Sequence, residues 1–325
     1  MPGGRAVLEV LKYCSAPDIL LHLSCVDHLF SSQSKSPELW FELLGADYES
    51  SPSLSPQDQF RTAHTGFLPV LSRSHLLKFY VHSQTWQRVL LSTQVLESRF
   101  LSMERMVDGR VFVTGAPTER DTFSVSPESG EVRELCPLQT HRSNIGLIRC
   151  LEDIYAFGGT VASSVTTTSE VYIHAKQHWQ CLPSSNYARF SFNPTEYKGQ
   201  IYLLGGCKSA PGESFSVFSS TFHDLPLVLP GDNCTIALCT GSQLLAVQQD
   251  RYYVCGRKTA GSWEVVKWEL DLGEGFWSNS RVIEGNGCYY IHQSRAGRIV
   301  ALRLKDKSFT EFPTGERPKY TFGDY

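Results

Sequence analysis

Two stretches decide the reading: Asp153-Ile154-Tyr155-Ala156-Phe157-Gly158-Gly159 and Gln200-Ile201-Tyr202-Leu203-Leu204-Gly205-Gly206. In each, a short β-branched and aromatic run ends on paired glycines, the composition of a strand that stops at a turn. An arginine precedes each run. Arg142 to Arg189, Tyr155 to Tyr202 and Gly158 to Gly205 are all 47 residues apart. Three marks at one interval make an internal repeat.

The period extends in both directions. Arg99 stands 43 residues before Arg142, and Gly109-Arg110-Val111-Phe112-Val113-Thr114-Gly115 is a one-glycine version of the same strand. Trp86, Val132, Trp179, Leu225, Trp263 and Phe309 occupy the corresponding fourth strands. Six units result, ending near residues 90, 136, 183, 229, 268 and 312. A unit of ~45 residues makes a four-stranded sheet too small to bury its own faces, so units pack face to face around an axis. The expectation is an all-β, six-bladed β-propeller over residues 58–325, with seven blades left open. The Gly-Gly pair marks where neighbouring blades crowd. The fourth-strand aromatic fills the gap between blades. The first unit lacks a clear front half, and Glu316-Arg317-Pro318-Lys319-Tyr320-Thr321-Phe322 is expected to complete it and close the ring.

Residues 1–48 read differently. Val7, Leu8, Val10 and Leu11, then Leu20, Leu21, Leu23, Val26, Leu29 and Phe30, recur largely at three- and four-residue spacings. Ser15 as N-cap with Pro17 in the first turn opens one helix, and Pro37-Glu38-Leu39-Trp40 opens another. Three short helices fit, followed by a Ser/Pro-rich linker at residues 49–57.

Bulk properties exclude several classes. The net charge is −3 with no basic run, which leaves nucleic acid no electrostatic footprint. No apolar stretch approaches the ~20 residues of a membrane span. The N-terminus has no signal-peptide core, and none of the ten cysteines forms a C-x-x-C, so a reducing compartment, cytoplasm or nucleus, is expected. The sequence contains no G-x-S-x-G, P-loop or H-E-x-x-H motif. His174 and His178 are four apart, but in a turn between strands rather than on a helix. No metal, cofactor or enzymatic activity is expected.

The repeating unit resembles the kelch repeat over about residues 59 to 325: Arg, a short strand, a Tyr strand ending Gly-Gly, a Tyr strand and a Trp strand. The N-terminal segment resembles an F-box in order and spacing, although an F-box usually begins Leu-Pro-x-Glu where this chain has Pro2-Gly3-Gly4-Arg5. Together the resemblances imply a non-enzymatic substrate receptor of an SCF-type cullin–RING ubiquitin ligase. A Skp-family adaptor within the cullin complex would bind Val7, Leu8, Val10, Leu11, Pro17, Ile19, Leu20, Leu23, Val26, Phe30 and Trp40. A target protein would bind the propeller face around Arg99, Arg142, Asn144, Arg189 and Ser191. Two readings compete. The arginines can instead bond carbonyls of neighbouring blades, and the helices can pack internally, as in a structural kelch scaffold of the cytoskeleton or cilium. Leu101, Asn144 and Ser191 are small or apolar, which argues against an acidic peptide partner. The loops Ala116–Asp121, Thr160–Glu170, Cys207–Glu213 and His292–Gly297 are the expected contact surfaces.

Overall fold

The computed structural model describes residues 67–71, 74–81, 84–93, 102–115, 120–197, 199–206 and 210–228. Beyond them it describes 235–240, 243–248, 251–257, 263–269, 282–285, 288–293, 298–303 and 308–313. The expected helical module, the linker, Arg99, Leu101 and the C-terminal strand lie outside these residues. Among the described residues there is no α-helix and none long enough to cross a membrane.

Strands β1 (Phe67–Leu71), β2 (His75–Tyr80) and β3 (Thr85–Leu90) form a three-stranded sheet. Five four-stranded antiparallel blades follow. The first is β4 (Ser102–Arg105), β5 (Val111–Thr114), β6 (Thr122–Val125) and β7 (Val132–Glu134). The second begins with β8 (Gly146–Cys150) and β9 (Asp153–Phe157), and a ribbon of β10 (Thr160–Val161) and β11 (Ser164–Val165) rises from the next loop. It is completed by β12 (Ser169–Ile173) and β13 (His178–Cys181). The third is β14 (Thr195–Tyr197), β15 (Gln200–Leu203), β16 (Pro211–Ser216) and β17 (Thr221–Val228). The fourth is β18 (Thr235–Thr240), β19 (Gln243–Gln248), β20 (Arg251–Arg257) and β21 (Trp263–Glu269). The fifth is β22 (Val282–Gly285), β23 (Cys288–Gln293), β24 (Arg298–Arg303) and β25 (Ser308–Pro313). First strands of successive blades neighbour one another, β4 with β8, β8 with β14 and β14 with β18, as in a propeller. Among the described residues the count is therefore five four-stranded blades, where six were expected. The residues of the first expected unit contribute three strands.

The core follows from period-two alternation within blades buried on both sides. In β9, Ile154 and Ala156 point into a cluster with Met106, Phe112, Leu147, Tyr172 and Trp179, between the first and second blades. The intervening Tyr155 and Phe157 point into a second cluster with Phe192, Ile201, Leu203 and Phe215, between the second and third. One strand thus serves two cores, which is why it reads as a continuous apolar run.

Trp179 is 2% exposed, and its indole N–H donates to the Cys136 carbonyl at 3.1 Å. Its ring lies 5.7 Å from Phe112 and 5.5 Å from Tyr172, filling the gap between blades as expected. In the third blade Phe222, not Leu225, does this: Phe222 stands opposite Phe215 as Trp179 stands opposite Tyr172. Its ring is 4.8 Å from Phe215. The paired glycines are required twice over. Gly158 has φ +59, and a Cβ there would meet the Arg189 carbonyl oxygen of the next blade at 2.2 Å. Gly159 has φ +105, and its Cβ would meet the Ser143 carbonyl oxygen at 2.6 Å.

Candidate functional site

The segments entering the innermost strands of the second and third blades each hold a buried ion pair. Arg142 is fully buried and donates to the carbonyls of Gly158 and Thr168, both at 2.7 Å, and to that of Ala156 at 3.4 Å. It also donates to the Glu170 carboxylate at 3.1 Å. Glu170, equally buried, accepts the backbone N–H groups of Gln139 at 2.8 Å and Thr140 at 3.2 Å. Arg189 repeats the arrangement, with bonds to Glu213 at 3.1 Å, to the Gly205 carbonyl at 2.6 Å and to the Pro211 carbonyl. Glu213 in turn accepts the Asn186 N–H at 2.7 Å.

These bonds settle what the arginines do. Burial draws the Arg142 guanidinium down to about 10, opposed by the Glu170 charge, so it stays protonated at neutral pH. A desolvated cation needs its carboxylate and its carbonyls, and each guanidinium finds them within its own blade. The two carboxylates also fasten the incoming loop by its backbone. Arg142 and Arg189, 0% and 1% exposed, offer no surface to a partner. In the first blade, Phe123 occupies the ladder position matching Glu170, paired with Val113 two residues before Gly115.

Glu170 and Glu213 are the residues that sequence reasoning missed. Each sits two positions before the third-strand aromatic (Tyr172, Phe215), a recurrence that could have found them. Asn144 and Ser191 follow the arginines as predicted and are partly exposed. Both adopt left-handed backbone, φ 54 and 52, and the Ser191 N–H donates to the Asn144 carbonyl at 2.9 Å, joining the two blades. At the outer margin, Asp224 accepts the Asn186 amide at 2.8 Å and the Tyr187 hydroxyl at 3.3 Å. Arg99 and the adaptor residues Val7 to Trp40 lie outside the described residues.

Among the described residues no group of three His, Cys, Asp or Glu side chains could hold a metal ion. His174 and His178 do not converge on one. His178 is exposed, its Nδ1 3.4 Å from the Lys176 carbonyl, while the His174 backbone N–H donates to Asp153 at 2.9 Å.

No family model matches the chain. It is similar to Kelch-like protein 40 of Mus musculus, 29% identical over 99 residues, 30% of this chain and 16% of that protein. It is also similar to an F-box/kelch-repeat protein of Arabidopsis thaliana, 26% identical over 159 residues, 46% of this chain and 39% of that protein. The chain thus spans less than half the length of either relative.

Proposed function

With the chain a kelch-repeat β-propeller, we propose that it is a non-enzymatic protein-binding adaptor, the substrate-recognition subunit of an SCF-type ubiquitin ligase in the cytoplasm or nucleus. The propeller holds the target. Residues 6–45 dock on a Skp-family adaptor through the apolar positions Leu20, Leu23, Val26 and Phe30, and residues 316–325 supply the strand that makes the three-stranded sheet a sixth blade. The observation that carries the reading is the use of charge. Each of two blades commits an arginine and a glutamate to bracing its own loop, a construction suited to presenting a rigid recognition surface rather than to reaction chemistry. The F-box/kelch-repeat relative supports the pairing of an adaptor-binding segment with such a propeller.

The test is co-purification of the full chain with a Skp-family adaptor, repeated with Leu20→Asp and Leu23→Asp. The wild-type chain should retain the adaptor and both variants should lose it. If the unmutated chain fails to associate, the ligase reading is wrong.

A further inference from the structure

Gln139, Arg142, Glu170 and Cys181 form one cluster in the second blade. Glu170 pairs with Ala156 in β9 and with Cys181 in β13, so the Glu170 and Cys181 side chains lie on one face as cross-strand neighbours. Cys181 is exposed, and its thiol donates to the side-chain oxygen Oε1 of Gln139 at 2.9 Å. The other end of that amide is fixed, because Nε2 donates to the Trp179 carbonyl at 2.7 Å. The thiol proton is thereby held against the amide, which leaves the sulfur lone pairs to the solvent.

The repeat shows what the neighbouring blades carry at the Cys181 position. Asn186 and Arg189 stand 47 residues after Gln139 and Arg142, and Glu213 and Asp224 stand 43 after Glu170 and Cys181. Glu213 pairs with Asp224 as Glu170 pairs with Cys181, so the third blade has a carboxylate where the second has a thiol. Asp224 accepts the Asn186 amide at 2.8 Å, the Cys181–Gln139 contact with donor and acceptor exchanged. In the first blade the same ladder position, opposite Phe123, holds Glu134. The second blade also keeps an unused donor. The fully buried Arg142 Nε makes no hydrogen bond among the described residues, whereas the Arg189 Nε donates to Glu213 at 3.1 Å. Nε and Nη2 share one edge of the planar guanidinium, and Nη2 reaches Glu170, the neighbour of Cys181. A negative charge on Cys181 is felt at Arg142, where it helps to hold the proton.

We propose that Cys181 is an oxidation site, which takes oxygen from a hydroperoxide and so acquires the anion that Glu134 and Asp224 supply in the neighbouring blades. The sulfur, its proton released to solvent, attacks one peroxide oxygen. The S–O bond forms as the O–O bond breaks, and the second oxygen leaves as hydroxide or alkoxide and takes up a proton. Sulfur is oxidised by two electrons to a sulfenic acid, and the peroxide is reduced to water or an alcohol. A second hydroperoxide adds another oxygen by the same exchange, giving a sulfinate with two acceptor oxygens, like a carboxylate. That anion faces the Arg142 guanidinium, and it repels the Gln139 Oε1 that the thiol had bonded. The amide must turn its NH2 to the sulfinate, as Asn186 does to Asp224, and give up the Trp179 carbonyl. Oxidation thus resets the contact that ties the linker between the first and second blades to β13. The other exposed thiol among the described residues, Cys136, has the Pro137 carbonyl 3.9 Å from its Sγ and serves as the internal reference.

The experiment treats the full chain with hydrogen peroxide in the presence of dimedone, which traps sulfenic acids before another thiol can reach them, and follows each cysteine by peptide mass spectrometry. The Cys181 adduct should form at least about tenfold faster than the Cys136 adduct in the folded chain, and the two should form at equal rates in guanidinium chloride. A smaller difference, or one that survives denaturation, would overturn the proposal. The second measurement is Cys181→Asp, which places a permanent carboxylate where the sulfinate would stand. Its melting midpoint should stay within about 3 °C of wild type, since the neighbouring blades hold a carboxylate there. A larger fall would show that the second blade does not accept an anion at this position and would overturn the proposal as well. No binding partner enters either measurement, so the protein-binding reading stands or falls separately.

Discussion

Replacing Glu170 with glutamine isolates the charge from the shape. The substitution leaves no cavity, but one carboxylate oxygen becomes an amide donor. Oε1 accepts from Arg142 and Thr140 and Oε2 from Gln139, so wherever the new NH2 sits it meets a donor. The guanidinium is left fully buried, protonated at neutral pH, with its Nε making no hydrogen bond. Breaking a buried pair by removing one partner costs about 3–5 kcal/mol. At about 1.5 °C per kcal/mol for a chain of 325 residues, the melting midpoint should fall by roughly 4–8 °C. Guanidinium titration of the variant against wild type measures the same loss. Replacing both partners, Arg142→Met with Glu170→Leu, should recover only part of it, because the carbonyls of Ala156, Gly158 and Thr168 lose their donor. Glu131→Gln is the reference, since Glu131 is 45% exposed beside Arg133 and Arg110 and its loss should leave the midpoint nearly unchanged. If Glu170→Gln costs no more than Glu131→Gln, the pair is solvated and the bracing argument fails.

Trp179→Ala should destabilise by about 3–5 kcal/mol, since it opens the gap between two blades and frees the Cys136 carbonyl; denaturant titration reads this directly. Gly158→Ala, placing a methyl 2.2 Å from the Arg189 carbonyl oxygen at positive φ, should lower the melting temperature more than any exposed glycine-to-alanine change; an equal or higher value would contradict the close approach. Burial pushes the Tyr155 and Tyr172 hydroxyls and the Cys150 thiol up to about 12. Folded, these groups keep protons that the unfolded chain releases from about pH 9 for the thiol and 10 for the phenols. Stability should therefore fall as pH rises from about 9 toward 12, with Arg142 opposing weakly above about 10, and a flat denaturation midpoint across that range would refute their burial. Removing residues 316–325 should lower the melting temperature if they close the ring, and an unchanged value would show that they do not.

The parts of the fold legible in the sequence are those where geometry permits one residue type. Gly158 and Gly159 need both positive φ and absent side chains, so they repeat beside Gly205 and Gly206 at a fixed interval. The arginine recurs at the same interval because its carbonyl partners do. Its carboxylate escaped notice because the intervening loops differ in length. Glu170 follows Gly158 by 12 residues, whereas Glu213 follows Gly205 by 8, so the two glutamates are out of step with the glycines. Phe222 was misplaced at Leu225 for a related reason, since the position is set by pairing with Phe215 and not by distance along the chain.

Which rim of the propeller meets the target can be measured directly. A photo-crosslinking amino acid placed at Ser163 or at Lys176, in the full chain expressed in cells, distinguishes the two, because the first lies in the loop between β9 and β12 and the second in the turn between β12 and β13, at the other end of the blade. Discrete crosslinked species from Ser163 and none from Lys176 are the predicted result. Crosslinks confined to Lys176 would contradict it.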